Sequence, residues 1–415
     1  MQNLKVAILS YRSEPFGGGQ GIYIHDISKA LSLMGHQVDV ISGPPYPNLY
    51  EKVNLTKLPG LDLFQTFSFK GRLKIFIKKK NKRAIDFYEF FSTFFGGFPE
   101  MRTFGERAKE FLDINNQFDI VIDNQSISYG LLEIQKKFPL LEIIHHPITK
   151  DYKFELQSSR SFMYRLSRHR WYSFLKMQKK VAPQLKKIVT PSFNSLKDIA
   201  SDFSVKKENI NVINNGLDID IFIPYNEVKR NPTKLITTAS ADVVLKGLDY
   251  TLKSLASLTD DFPEISLTVI GKLKKGGHTS RLIHELGIKD KVFFKTDLTK
   301  EEIAKEYASS SIAIVSSLYE GFGYPVIEAM SCEIPLIATN TSSIPELVGD
   351  YAKLIPPKNT NELSNTIRSI LNDYSHYKKI AVKGRQHIID NFNWLKITEE
   401  YEDIISKTIN DFHKC

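Results

Sequence analysis

Cysteine is nearly missing from these 415 residues: Cys332 and Cys415 are the only two, and the second is the last residue. No disulfide framework and no cysteine-rich metal site can be built from such a pair, which fits a reducing cytoplasm. Long apolar runs are missing too. Nothing approaches the ~18 residues that a membrane-crossing helix needs, and Met1 to Ser10 is too short in apolar run for a signal peptide and reads as a strand. Internal repeats and low-complexity stretches are absent. What remains is globular: 42% apolar, 25% charged, long enough for two domains with room for a third. The net charge of +9 favours anionic partners, whether nucleotides, nucleic acid or acidic lipid.

Strand and helix patterns alternate along the chain. Leu4 to Ser10 reads as a strand, and Pro15-Phe16-Gly17-Gly18-Gly19-Gln20-Gly21 as a flexible loop. A helix follows with apolar positions Ile22, Ile24, Ile27, Leu31 and Leu33, stopped by Gly35, and then a strand over Val38–Ile41. That unit predicts parallel packing. Its glycines lack the Gly-x-Gly-x-x-Gly spacing, so it does not read as a dinucleotide site. Further strand patterns end in polar clusters: Phe118–Ile122 in Asp123-Asn124-Gln125-Ser126, and Leu141–Ile144 in His145-His146. In open α/β sheets ligands bind beyond the carboxyl ends of strands. Neighbouring histidines on extended chain point apart, so His145, which prolongs the strand, is the candidate and a metal pair is not expected. Residues 217–232, with Pro224 and Pro232, read as an interdomain linker. Within it Asp218 and Asp220 suit either a metal or, more simply, a turn.

Residues 61–98 break the rhythm. Eight cations, Lys70, Arg72, Lys74, Lys78, Lys79, Lys80, Lys82 and Arg83, stand between 70 and 83 with no acid among them. Leu73, Phe76, Ile77, Ala84, Phe87, Tyr88, Phe91 and Phe95 fall at roughly helical spacing. Two readings stand: a basic amphipathic helix on an anionic membrane, or a helix packed on its own domain with a solvated basic face. No RNA-binding module surrounds the segment. Residues 153–187, with Arg160, Arg165, Arg168 and Arg170, read as one or two more basic helices.

The most informative stretch is Ser317 to Met330. The apolar run Ile312–Val315 reads as a buried strand, followed by Glu320-Gly321-Phe322-Gly323 and then a helix carrying Glu328. Gly321 and Gly323 let backbone amides approach a ligand, and the following helix N-terminus favours an anion. Pro325 suits a first helical turn. Carboxylates for a ribose diol beside amides for phosphates describe a nucleotide-diphosphate site. An ordinary strand–turn–helix with surface glutamates is the alternative.

Taken together, Gly17 to Gly21, Asn215-Gly216-Leu217-Asp218, Lys246-Gly247, and above all Glu320-Gly321-Phe322-Gly323 with Glu328-Ala329-Met330, resemble the retaining, nucleotide-sugar-dependent glycosyltransferases of family 4. The resemblance covers nearly the whole chain. It implies an α/β protein of GT-B architecture, two Rossmann-like domains facing a cleft, with residues 1–218 on the acceptor side and 219–394 on the donor side. Residues 395–415 would complete the first domain. It implies hexosyl transfer with retention from a UDP- or GDP-sugar to a glycan, glycolipid or small hydroxylated acceptor, with no metal or other cofactor and no nucleic acid. The enzyme would be cytoplasmic, with a peripheral membrane position open through residues 70–95. A non-catalytic nucleotide-sugar- or membrane-binding protein on the same fold is the alternative.

By the same resemblance Glu328 accepts both ribose hydroxyls, Lys246 stabilises the leaving diphosphate, and Glu320 touches the transferred sugar near the Phe322 and Gly323 amides. His145 lies by the sugar's 6-hydroxyl, and Gly18 and Gly19 let the N-terminal loop approach the diphosphate. The chain departs from the family pattern where an arginine is usual ahead of the lysine. Ser240 stands there, so Arg12, Lys272 or Lys274 would have to supply a second cation, and Asp242 would repel a diphosphate unless turned away or paired. Ser342-Ser343 replaces a usual glycine pair, and Glu346 reads as structural.

Overall fold

Short apolar runs bounded by polar residues become parallel strands; the central ones are buried on both faces, the burial that βαβ crossovers impose, and those at the sheet edges are partly exposed. In the first sheet these are β1 (Lys5–Ser10), β2 (Gln37–Ser42), β3 (Asn54–Lys57), β4 (Ile120–Asn124), β5 (Leu140–Ile143), β6 (Ile188–Thr190) and β7 (Ile210–Val212). Their order is β3-β2-β1-β4-β5-β6-β7, every neighbouring pair parallel. The second sheet holds β8 (Lys234–Thr238), β9 (Ser266–Ile270), β10 (Val292–Lys295), β11 (Ile312–Val315), β12 (Leu336–Thr339) and β13 (Lys353–Ile355). Its order is β10-β9-β8-β11-β12-β13, again all parallel. Strand order reverses at β1/β4 and at β8/β11. Beyond the carboxyl ends at such reversals the flanking loops part and leave room for a ligand.

The computed structural model describes residues 3–13, 19–66, 68–158 and 161–414. Pro15, Phe16, Gly17, Gly18, Phe67, Arg160 and Cys415 lie outside them. The chain divides into two compact units: 1–191 with 195–213 and 397–415, and 192–194 with 214–396. Each has its own apolar core. Ala7, Leu9, Val121, Leu131, Ile188 and Phe203 belong to that of the first unit. In the second, one cluster holds Ile236, Ala313, Val326 and Ile344, and another Leu235, Leu252, Leu267 and Ile337. No helix among the described residues is long and apolar enough to cross a membrane.

Several sequence expectations need correction. In the helix Gly19–Leu33 the buried face is Tyr23, Ile24, Ile27 and Leu31, while Leu33 is exposed. β3 escaped notice because Asn-Leu-Thr-Lys carries one apolar residue and lies at a sheet edge. The basic aromatic segment is two helices, Phe69–Lys78 and Ala84–Phe94, rather than one. Arg72 there is structural, donating to the carbonyls of Leu63, Thr66 and Thr93. Residues 149–181 form three helices, Thr149–Ser158, Phe162–Trp171 and Leu175–Val181.

Candidate functional site

In the second unit β11 leads into Ser316-Ser317-Leu318-Tyr319-Glu320, and Gly323, at φ +120°, precedes the helix Tyr324–Ser331. Val326, Ile327, Ala329 and Met330 bury one side of that helix, so Glu328 is left on the other. Phe322 is anchored in the core, edge-on to Tyr324 at 5.5 Å and tilted against Phe392 at 6.2 Å. Its side chain is committed to packing, and only its backbone is free to meet a ligand. Two serines fix the turn: Ser343 Oγ donates to the Glu320 and Phe322 carbonyls, and Ser342 Oγ accepts the Glu320 N–H at 2.8 Å. The Ser342-Ser343 pair that stands where glycines are usual thus holds the Glu320 loop by side-chain hydrogen bonds.

Lys246 reaches this loop. Its Nζ lies 2.7 Å from Glu320 Oε1, and Ser317 Oγ donates to the same oxygen at 2.6 Å. The lysine's approach depends on Gly247, whose φ is +63°. A Cβ there would lie 2.0 Å from the Ser316 carbonyl oxygen, so any other residue collides with backbone. Ser316 Oγ in turn donates to the Gly247 carbonyl at 2.9 Å, and the Leu318 N–H to the Leu245 carbonyl at 2.7 Å. The loops after β8 and β11 are therefore bolted together, and the cation and the carboxylate are presented as a pair.

Glu328 has a different neighbourhood. Its Oε2 accepts the hydroxyl of Tyr307 at 3.2 Å, and Thr238 at the end of β8 lies 3.0 Å from the same hydroxyl. Tyr307 is buried, and burial followed by the charge of Glu328 holds its hydroxyl well above the usual range, so it stays a donor. Burial pushes the Glu328 carboxyl up to about 7, against the pull of Tyr307, Lys300 and Lys246. Part of the side chain still meets solvent.

The expected phosphate cation has no direct substitute at Ser240, which is exposed at the end of β8 beside Gly271. Asp242 is partnered: its carboxylate accepts the Thr279 N–H at 2.7 Å and its own N–H meets Thr279 Oγ1 at 3.1 Å. It caps the helix His278–Glu285. Lys272 and Lys274 are exposed on the loop after β9. Arg12, in the first unit, faces Glu100 at 3.5 Å. Glu346 accepts the N–H groups of Phe193 and Asn194, both at 2.7 Å, a structural role. Asp218 serves a turn, its carbonyl accepting from Ile221 and Phe222.

In the first unit His145 follows β5. Its Nε2 lies 2.8 Å from Asn124 Oδ1, its N–H donates to Gln125 Oε1 at 2.9 Å, and its ring stands edge-on to Tyr23 at 4.7 Å. Tyr23 comes from the helix that Gly19 begins. His146 instead meets Asp151 at 2.8 Å, so the two rings do diverge. Burial, with the charge of His146 second, lowers the His145 pKa to about 3, leaving a neutral imidazole. The Asn124–Ile127 turn beside it is strained, with Gln125 at φ +61° and Ile127 at φ +45°. Asp123 holds it by accepting the Ser126 N–H and hydroxyl at 2.7 and 2.9 Å. Gly18 lies outside the described residues. No three His, Cys, Asp or Glu side chains among the described residues are grouped as a metal ion would require.

Comparison with known proteins gives the chain its family. Residues 17–221 match the family described as Glycosyltransferase Family 4, and residues 222–387 the one described as Glycosyl transferases group 1. A Mycolicibacterium hassiacum protein named MMP alpha-(1->4)-mannosyltransferase is 38% identical over 99% of this chain and 100% of its own length. The chain belongs to the family 4, group 1 glycosyltransferases. Their GT-B fold is also that of its structural neighbours. Sucrose-phosphate synthase from Thermosynechococcus elongatus superposes with a TM-score of 0.75 at 18% identity, covering 98% of this chain and 100% of that one. An Anabaena protein crystallised with UDP and glucose gives 0.71 at 16% identity, over 98% and 100%.

This glycosyltransferase gathers Lys246, Glu320 to Gly323 and Glu328 in its second unit, while Gly19 and His145 belong to the first. Sequence reasoning missed Tyr307, Ser317, Ser342 and Ser343 as partners of the two glutamates. Tyr307 sits mid-pattern on the helix Lys300–Ala308, where a buried tyrosine reads as ordinary core. The serine pair carried a usable signal, since it replaced glycines immediately ahead of a helix.

Proposed function

We propose that this glycosyltransferase moves a mannosyl group from a nucleotide-diphosphate mannose to a hydroxyl of a glycan acceptor, forming an α-(1→4) linkage with retention. The observation that carries the sugar and the linkage is the end-to-end similarity to the protein named as an α-(1→4)-mannosyltransferase. The pairing of Lys246 with Glu320, and Glu328 beside Tyr307, supports the donor side. In this reading the bond from C1 to the diphosphate oxygen breaks as the acceptor oxygen bonds to C1 on the same face. The leaving phosphate oxygen takes the acceptor's proton. Lys246 stabilises the charge that develops on the diphosphate, Glu320 accepts from a sugar hydroxyl, and Glu328 from the ribose diol. Ser240 contributes contact rather than charge. His145, neutral, and the Gly18–Gly19 loop keep the roles that the family resemblance gives them, and no step calls on a metal. The setting is cytoplasmic, where the buried free thiol of Cys332 stays reduced.

The test is turnover by purified protein with GDP- and UDP-sugars, offered mannose oligosaccharides and lipid-linked sugars, with product linkage read by NMR. Release of nucleoside diphosphate with an α-(1→4) product is expected. No release with any donor and acceptor pair would overturn the reading. Donor binding without turnover would favour a non-catalytic binder, the reading that Ser240 in place of a cation motivates.

A further inference from the structure

The helix Ala84–Phe94 is built inside out. Its exposed positions are Ala84, Phe87, Tyr88, Phe91 and Phe94, extended by Phe95, and they form one stripe at helical spacing. Phe91, Phe94 and Phe95 expose 52%, 51% and 65% of their surface, more than a core-facing helix would leave to water. The charged residues point inward. Asp86 and Glu89 are buried and both bind Arg107, at 2.8 and 2.5 Å, and Lys79 closes on Asp86 at 2.7 Å. Turning the helix over would strip Arg107 of both partners, so the aromatic stripe is fixed outward.

The helix before it, Phe69–Lys78, joins the same surface, with Phe69 edge-on to Phe94 at 5.4 Å. Its exposed side carries Lys70, Lys74, Ile77 and Lys78, continued by Lys80. Over residues 69–95 the only acids are Asp86 and Glu89, both buried, so every exposed charge is positive.

We propose that these two helices dock on an anionic lipid surface, the Phe87–Phe91–Phe94–Phe95 ridge entering the acyl boundary and Lys70, Lys74, Lys78 and Lys80 meeting the headgroups. A glycan fits the ridge poorly, because sugar recognition needs hydrogen-bonding groups and the ridge offers only the Tyr88 hydroxyl, which already faces Arg102 at 3.3 Å. A second copy of the chain would set the lysines against their own counterparts. The surface is independent of the donor site.

Cosedimentation with phosphatidylserine-containing vesicles at low salt tests it, with phosphatidylcholine vesicles and high salt as controls. Two variants separate the contributions: Lys70→Gln/Lys74→Gln/Lys78→Gln/Lys80→Gln, and Phe87→Ser/Phe91→Ser/Phe94→Ser. Lys79 is left alone because it pairs with buried Asp86. Each lysine near an anionic surface is worth about fivefold in partitioning, so the first variant should bind several hundredfold more weakly. The second should lose binding that survives high salt. The lysine variant replaces exposed residues and should leave the melting temperature unchanged; the phenylalanine variant gives up edge contacts with Phe69, Phe76 and Phe90 and should melt somewhat lower. Transfer to a soluble acceptor should be unchanged in both, so a failed reaction is told apart from a failed docking. Wild-type protein that stays in the supernatant overturns the proposal. So does vesicle binding indifferent to both variants, or a phenylalanine-dependent dimer or mannan complex in place of vesicle binding.

Discussion

Glu328 offers a test in which structure sets both sign and size. Its carboxyl stands at about 7 in the ligand-free protein because burial outweighs Tyr307, Lys300 and Lys246. Only the ionised form can accept two ribose hydroxyls. At about pH 6 roughly a tenth of the sites are ionised, so the dissociation constant of the donor should rise about tenfold between pH 8 and 6. Glu328→Gln removes the charge and with it a hydrogen bond worth about 1.5–3 kcal/mol, and should flatten the profile. Tyr307→Phe removes a group that lowers the carboxyl's pKa, so the midpoint should move to higher pH. Calorimetric titration with an intact nucleotide-sugar suits the purpose, since its diphosphate diester does not titrate in this window. A wild-type affinity flat with pH, or a Glu328→Gln variant with the wild-type slope, would refute the reasoning. The same shift predicts a stability effect of opposite sense. The folded state keeps a proton that the unfolded chain gives up, so a contribution of about 3 kcal/mol is present below the ordinary value of 4.5 and is lost as pH rises through 7. Thermal melts of the empty protein should fall over that range, and fall less in Glu328→Gln.

Lys246→Ala should cut the transfer rate by about 10²–10³ with a smaller change in donor affinity, as measured by steady-state kinetics; an unchanged rate would remove it from the chemistry. Gly247→Ala should lower the melting temperature and the rate together, because the new Cβ would lie 2.0 Å from the Ser316 carbonyl oxygen at a φ of +63°. A variant as stable as the parent would show that the loops after β8 and β11 are not bolted as described. His145, held at about 3, should remain neutral from about pH 5 to 9. Its imidazole NMR shifts should not titrate, and a midpoint near the ordinary histidine value would contradict the burial argument.

The fold was legible because parallel strands buried on both faces leave continuous apolar runs, as at Ile312–Val315, and because glycine, proline and glutamate at fixed offsets mark the turn after it. The loop Glu320 and the helical Glu328 were legible as a pair of carboxylates, but most of their partners were not. Tyr307 and Thr238 come to Glu328 from separate elements through the register of β8 and β11, which no local pattern encodes. The basic aromatic segment was legible only in part, for a physical reason. Helical spacing identifies a stripe but not which side of it faces the core, and buried Asp86, Glu89 and Arg107 reverse the usual choice. Asp242 was flagged as a repulsive neighbour of a diphosphate; its capping of Thr279 depends on a residue 37 positions away.

The pairing of Lys246 with Glu320 has a kinetic consequence. Lys246 and Glu320 neutralise each other across 2.7 Å. In the proposed reaction, donor entry would be a double exchange: phosphate for carboxylate at the lysine, sugar hydroxyl for ammonium at the glutamate. An intact nucleotide-sugar completes both halves. A nucleoside diphosphate, the product, completes only the first and leaves Glu320 to reclaim its lysine. The internal ion pair therefore acts as a returning spring, which would help to clear the spent donor from the site after each turnover.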